Sequence, residues 1–136
     1  MMTHPGKKLL FMGSEFGQFK EWDYQSGLDW LLLDYESHRM CKHYVRTLNP
    51  LYRETPALWE DDYSWEGFKW IAADDTAQSV ISFRRIDKKG DEVVVVCNFT
   101  PIKRDGYRIG LPVYGDWVEL FNSDLAEFGG TNATNG

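Results

Sequence analysis

Between Lys7 and Gly13 the chain reads Lys-Lys-Leu-Leu-Phe-Met-Gly, a short apolar run entered through Pro5-Gly6 and left through Gly13. A run of that length without alternation predicts a strand buried on both faces, as in a parallel sheet. From Ser14 to Leu33 no period holds. Gly, Gln, Asp and aromatic residues make a loop of about twenty residues, and loops that long in compact proteins usually carry function. Past Asp34, a candidate N-cap, Cys41, Tyr44, Val45, Leu48, Leu51 and Tyr52 recur at the helical period and predict a helix over about residues 35–54. Pro50 has no N–H for the carbonyl of Arg46, so the helix either kinks there or restarts with Asn49 as cap. Thr55-Pro56 ends it.

After Glu60 the period changes to two. Phe68, Trp70 and Ala72 alternate with polar or small neighbours, Asp74-Asp75-Thr76 makes a turn, and Ser79 to Arg85 alternates again with Ile81 and Phe83 on one face. Asp87-Lys88-Lys89-Gly90 signals a second turn and Glu92 to Asn98 a β-branched central strand. Thr100-Pro101 stops that strand, and shorter ones are predicted at Tyr107-Arg108-Ile109 and Trp117 to Phe121. Five strands in this span predict an antiparallel β-sandwich. The last residues, Thr131 to Gly136, are polar and form no finished element. The domain boundary falls between residues 55 and 66. In front of it, one parallel-type strand with one helix can neither pair its backbone nor cover its apolar face, so residues 1–57 read as the last βα unit of a structure whose other strands lie outside this chain.

At 136 residues the chain has room for one ordinary domain or parts of two, and no apolar run approaches the ~20 residues that span a bilayer. Fifteen basic against 21 acidic residues give a net charge of −6, and the basic ones occur as scattered pairs. Neither nucleic acid nor a membrane is an expected partner. Cys41 and Cys97 form no CxxC pair or secreted framework and no export signal is visible, which points to a reduced, cytoplasmic chain. The Asn98-Phe99-Thr100 and Asn132-Ala133-Thr134 sequons are then coincidental.

Candidate chemistry concentrates in the long loop. Glu15 follows the end of the predicted strand, where βα barrels carry their catalytic groups, and Glu21, Asp23 and Asp29 follow it. Two carboxylates ~5 Å apart would serve a retaining glycosidase, but loop spacing fixes no such geometry and acidic loop residues are commonly just solvated. Phe16, Phe19, Trp22, Tyr24 and Trp30 offer rings for a pyranose face, with Gln18 and Glu21 for its hydroxyls. The rival reading is that these rings close the bottom of the loop. Trp22, between Glu21 and Asp23, fits either role, whereas Trp30 beside Leu31 to Leu33 reads as core. His38 and His43 are ~140° apart around a helix and cannot share a metal. No metal or phosphate-cradling motif stands out, and Cys41 and Cys97 read as small core residues.

The residues Pro5-Gly6-Lys7-Lys8-Leu9-Leu10-Phe11-Met12-Gly13-Ser14-Glu15-Phe16-Gly17-Gln18, then Glu21-Trp22 and Leu28-Asp29-Trp30, closely resemble the eighth barrel strand and following loop of bacterial glycogen branching enzymes, 1,4-α-glucan branching enzymes of the α-amylase family. Pro56-Ala57-Leu58-Trp59, Cys97-Asn98-Phe99-Thr100-Pro101 and Asn122-Ser123-Asp124 resemble the same family in the same order, with coverage from about residue 4 to residue 130. The resemblance implies an α/β plus all-β architecture. Residues 1–57 would be the terminal strand-loop-helix unit of a TIM-type (β/α)8 barrel, and residues 58–136 a C-terminal antiparallel β-sandwich, both incomplete.

It also implies a retaining transfer of an α-1,4-glucan segment to a 6-hydroxyl, without cofactor. The partners implied are α-1,4-glucan (glycogen, amylose) and the rest of the parent barrel. The family's catalytic carboxylates fall on no residue here, so the chain alone is expected to be inactive. Glu15, Phe16, Gln18, Glu21 and Trp22 are the candidates for contacting glucan or supporting residues that do. The competing class is a free-standing, non-catalytic glucan-binding or interaction module.

Overall fold

The computed structural model describes residues 1–112 and 114–135. The chain divides into two compact units, one of Met1–Lys7 with Tyr52–Trp117, the other of Lys8–Leu51 with Val118–Gly136.

In the first unit the alternating segments form an antiparallel sheet of β1 (Phe68–Asp75), β2 (Val80–Ile86) and β3 (Glu92–Asn98), with β2 central. Both turns are closed by the aspartates that signal them. Asp75 accepts from the Gln78 backbone N–H (3.2 Å), and Asp87 Oδ1 accepts from the N–H groups of Lys89 and Asp91. Phe68 pairs with Arg85 and Trp70 with Phe83, so the three rings share one face, with centroids 5.0–5.8 Å apart. Register shifts after Trp70 and after Ala72 mark irregularities in β1. A 3-10 turn, Pro56–Leu58, packs on β2 and β3 and buries Ala57 and Leu58 with Val80 and Phe83. Each large side chain so buried contributes about 1.5–3 kcal/mol.

Arg85, on the face that carries Phe83, has no solvent exposure at all. Its Nε donates to Gly67 O (3.1 Å), Nη1 to Thr3 O (3.0 Å), and Nη2 to Asp61 O (3.2 Å) and Asp62 Oδ1 (2.6 Å). One guanidinium thereby joins the N-terminal segment, the 61–67 loop and the sheet. Gly67 has to be a glycine, because a Cβ there would lie 2.1 Å from Asp61 O.

The strands expected at Tyr107–Ile109 and from Trp117 to Phe121 are not formed, and the sheet has three strands among the described residues. Residues 104–107 are instead held to the β1–β2 turn by side chains: Arg104 Nη2 donates to Gln78 O and Tyr107 Oη to Asp75 Oδ2. Glycines at 106 and 110 leave too short a run between them for a ladder.

The expected helix is present as α1 (Glu36–Glu54), continuous through Pro50 and, as far as Leu51, part of the second unit. Pro50 removes the N–H that would reach Arg46 O, a loss of one bond that the helix takes without ending there. Cys41, Tyr44, Val45 and Leu48 are half-buried while Lys42, His43, Arg46 and Asn49 are exposed, which is the stripe read from the sequence. The capping role assigned to Asp34 is corrected. Asp34 belongs to a preceding 3-10 turn, Trp30–Asp34, and Tyr35 O accepts the first helical N–H, from Arg39.

Phe121 and Phe128 pack on Tyr44 at 5.5 and 5.4 Å, and His43 Nε2 lies 2.9 Å from Glu127 Oε2. Asp124 organises the polar end: its carboxylate accepts from Thr131 N–H (3.0 Å), Thr131 Oγ1 (2.5 Å) and Ala133 N–H (2.9 Å). Gly136, the last residue of that polar stretch, lies outside the described residues. The buried strand expected over residues 7–13 is also not formed: these residues join no ladder, and Leu9 is 72% exposed. A parallel strand needs neighbours on both edges, and among the described residues none pairs with it.

Candidate functional site

The loop from Ser14 to Leu33 opens on Gly13, held at φ +85°, where a Cβ would stand 3.0 Å from Gln18 Cβ, Gln18 Oε1 and Phe16 Cζ. Only glycine meets both demands, since left-handed backbone disfavours a side chain and the space is already filled. A 3-10 turn, Ser14–Phe16, follows and ends at Gly17, also left-handed at φ 71°. Gln18 N–H returns to Gly13 O (3.1 Å), closing the turn on itself.

The side chain of Gln18 spans the loop. Its Oε1 accepts from the Asp29 N–H (2.9 Å) and its Nε2 donates to Lys20 O (3.0 Å), so both ends of the amide are committed to backbone eleven and two residues away. Phe16 is fully buried and stacks on Trp30 with centroids 5.3 Å apart. Its carbonyl accepts from His38 Nδ1 (2.7 Å). A carbonyl only accepts, which places a proton on Nδ1. Phe19 meets the His38 ring edge-on at 5.2 Å.

Of the five candidates for contacting glucan or supporting residues that do, Phe16 and Gln18 brace the loop from inside. Glu15 is half-buried and Glu21 exposed, and neither has an ion-pair or hydrogen-bond partner among the described residues. Trp22 differs from the others: it is 74% exposed, its ring centre is 4.7 Å from that of Phe11, and its backbone stands at φ 57°. A left-handed conformation costs a bulky L-residue about 1–2 kcal/mol, and such strain clusters at binding and catalytic sites.

Asp23 accepts from Ser26 Oγ, and this bond, helped by Lys20, draws its carboxyl below the ordinary value. That makes it a stable anion and a poor proton donor. Tyr24 and Phe19 are exposed, and the reading of Trp30 as core is corrected: it is 56% exposed, one face stacked on Phe16 and Lys42 Nζ 5.8 Å from its ring centre.

His38 was legible only in part. It falls three residues before Cys41 on the stripe of α1, which marks it as inward-facing, but nothing in the sequence tells that its partner is a carbonyl 22 residues earlier. Among the described residues no group of three or more His, Cys, Asp or Glu side chains is placed to hold a metal ion.

Residues 70–136 match the model of the α-amylase C-terminal all-β domain. Over 136 aligned residues the chain is 56% identical to the 1,4-alpha-glucan branching enzyme GlgB of Halothermothrix orenii and 54% identical to that of Aquifex aeolicus, covering 99% of this chain and 22% of either relative. With the enzyme of the same name from Pseudomonas fluorescens strain Pf0-1 it shares 52% identity over all of its own length and 18% of the relative's. The chain thus spans about a fifth of the length of the curated relatives it matches. With half or more of its residues unchanged along its whole length, the chain is similar throughout to a segment of the 1,4-alpha-glucan branching enzymes.

Proposed function

We propose that this chain is the C-terminal part of a glycogen branching enzyme, comprising the terminal βα unit of a catalytic barrel (residues 1–57) and an incomplete antiparallel sandwich domain (residues 58–136). The observation that carries the reading is the identity of 50% or more with enzymes so named, sustained along the whole chain.

In the parent reaction a carboxylate of the barrel attacks the anomeric carbon of an α-1,4-linked glucan while a carboxylic acid protonates the departing O4. The 6-hydroxyl of an acceptor chain then displaces the carboxylate and gives up its proton to the same acid-base residue. These carboxylates belong to the parent barrel and to none of the residues here, so this chain contributes no catalytic group and turns nothing over alone. Its part in the reaction is to bind and support. Trp22 presents an indole face to a glucose ring, Glu15 and Glu21 accept from sugar hydroxyls, and Phe16 and Gln18 hold the loop in shape. The two cysteines are free, which suits a reducing cytoplasm.

Incubating the purified chain with amylose is expected to leave iodine staining unchanged, and loss of staining would overturn the assignment of catalysis to the parent barrel. In the full-length parent, Trp22→Ala is expected to raise the KM for amylose several-fold. An unchanged KM would remove Trp22 from the glucan site. The second reading, a self-sufficient glucan-binding module, is favoured by the exposed rings of Phe19, Trp22 and Tyr24. It predicts that the isolated chain binds maltoheptaose by calorimetry, whereas a dependent piece does not.

A further inference from the structure

Beside the β1–β2 turn the loop after β3 leaves a cleft of about 520 Å3, lined among others by Asp75, Gln78, Lys103, Arg104, Tyr107 and Arg108. Its carboxylates are already engaged. Asp75 Oδ2 accepts from Tyr107 Oη (2.8 Å) and Gln78 Nε2 (3.0 Å), Asp75 Oδ1 from Gln78 N–H (3.2 Å), and Asp105 Oδ1 lies 2.6 Å from Lys103 Nζ. Its arginines keep free donors. Arg104 spends one Nη2 proton on Gln78 O (3.1 Å), while its Nε–H is closed off from solvent and has no acceptor among the described residues. Arg108 is exposed and has no ion pair or hydrogen bond among the described residues.

Three cations against two carboxylates leave this cleft positive within a chain whose net charge is −6. A buried donor without an acceptor is costly, so what the cleft lacks is an acceptor. A neutral sugar would also need acceptors from the protein, and Asp75 is occupied by its own donors. We propose that this cleft binds a small tetrahedral oxyanion of the phosphate class, with Arg104 and Arg108 as its charged walls. Guanidinium groups suit this ligand because their planar donor edges match pairs of its oxygens. In the proposed complex the Arg104 side chain rotates from the position in which its Nε–H is closed off from solvent, about its bond to Gln78 O, and brings that edge to the ligand. The site uses none of the residues assigned to glucan and stands or falls apart from that assignment.

The test is a titration of the isotopically labelled 136-residue chain with inorganic phosphate at constant ionic strength, reading the Arg104 and Arg108 Nε–H and Gly106 amide NMR signals. The expected result is a saturable shift, the Arg104 Nε–H moving downfield, with Arg108→Gln weakening the affinity about threefold or more, as loss of one exposed charge contact implies. Potassium chloride and acetate at matched ionic strength should not reproduce it. No saturable shift, an equal response to chloride, or an Arg108→Gln chain that titrates unchanged would overturn the proposal. So would a response of the same signals to maltose and not to phosphate, which would make the cleft a polyol site.

Discussion

Replacing Arg85 by Met tests how much of the first unit depends on a single buried cation. The substitution keeps the aliphatic stem against the sheet face of Phe83 and deletes only the guanidinium. Four acceptors then lose one donor each: the carbonyls of Thr3, Asp61 and Gly67, the last of which keeps the Ile86 N–H (3.1 Å), and the carboxylate of Asp62, whose side chain is 9% exposed. Removing one member of a buried ion pair costs about 3–5 kcal/mol, and each buried carbonyl left without a donor adds up to about 1–3 kcal/mol if no water enters. The loop at residues 61–67 is partly exposed, so water relieves some of this and the total expected is about 4 kcal/mol. Against a stability of about 5–15 kcal/mol for a whole domain, that brings the unit close to unfolding.

Lysine is the sharper comparison. Arg85→Lys keeps the charge and its attraction to Asp62, but one ammonium with three protons cannot reach acceptors arrayed around a planar fork, so about half the loss should remain. Urea unfolding followed by near-ultraviolet circular dichroism, to which Trp70 in the ring cluster contributes, measures both. A loss below about 1 kcal/mol for Arg85→Met, within the range of an exposed ion pair, would refute the claim that this guanidinium holds the three segments together.

Ser82 Oγ is fully buried and has no hydrogen-bond partner among the described residues, so Ser82→Ala should be neutral or stabilising by up to about 1 kcal/mol in the same urea assay. Gly13→Ala forces a Cβ into left-handed backbone and against Gln18 and Phe16, and should cost more than about 2 kcal/mol by thermal melting of the second unit. The carboxyl of Asp124 is held below its ordinary value of 3.8, chiefly by the Thr131 hydroxyl and then by the N–H groups of Thr131 and Ala133. A depressed folded-state value means stabilisation that is fully present above 3.8 and is lost as pH falls through the lower, folded value. Thr131→Val should therefore move the Asp124 carboxyl carbon titration upward by NMR and flatten the acid limb of stability. Leu9, Phe19, Trp22 and Leu31 are all exposed, so sedimentation of the isolated chain should show concentration-dependent association, and a sharply melting monomer at all concentrations would contradict this.

The elements that were legible in the sequence are those whose stability is local. The stripe from Cys41 to Tyr52 gives α1 its packed face, and alternation with aspartate-rich turns gives the three strands, because helix and hairpin find their hydrogen bonds within a few residues; the strand Glu92–Asn98, read as central, is instead at the edge, and β2, the central one, buries Ser82 as well as Phe83. Arg85 was not legible. It reads as half of an Arg-Arg pair, a pattern ordinarily solvated, and its acceptors lie 18, 23, 24 and 82 residues away. The interior use of Gln18 was hidden for the same reason: in an aperiodic loop no spacing tells which polar side chain turns inward to close it, whereas the burial of Phe16 was one of the two readings its ring allowed.

Residues 7–13 show the opposite case, where the pattern is strong and the element is absent. Leu9, Leu10 and Phe11 are as apolar as any strand of a buried parallel sheet, yet all three face solvent at least in part and join no ladder. Apolar pattern encodes burial, but a parallel strand obtains neither its hydrogen bonds nor its cover from residues near it in sequence. The same holds for the loop that follows, whose turn at Gly13 and Gln18 is fixed by its own contacts while Trp22 stands strained and exposed. Strain of that kind persists only where surrounding structure repays it, and at Trp22 the described residues supply the ring of Phe11, 4.7 Å away, which ties the strained indole to the apolar run before it.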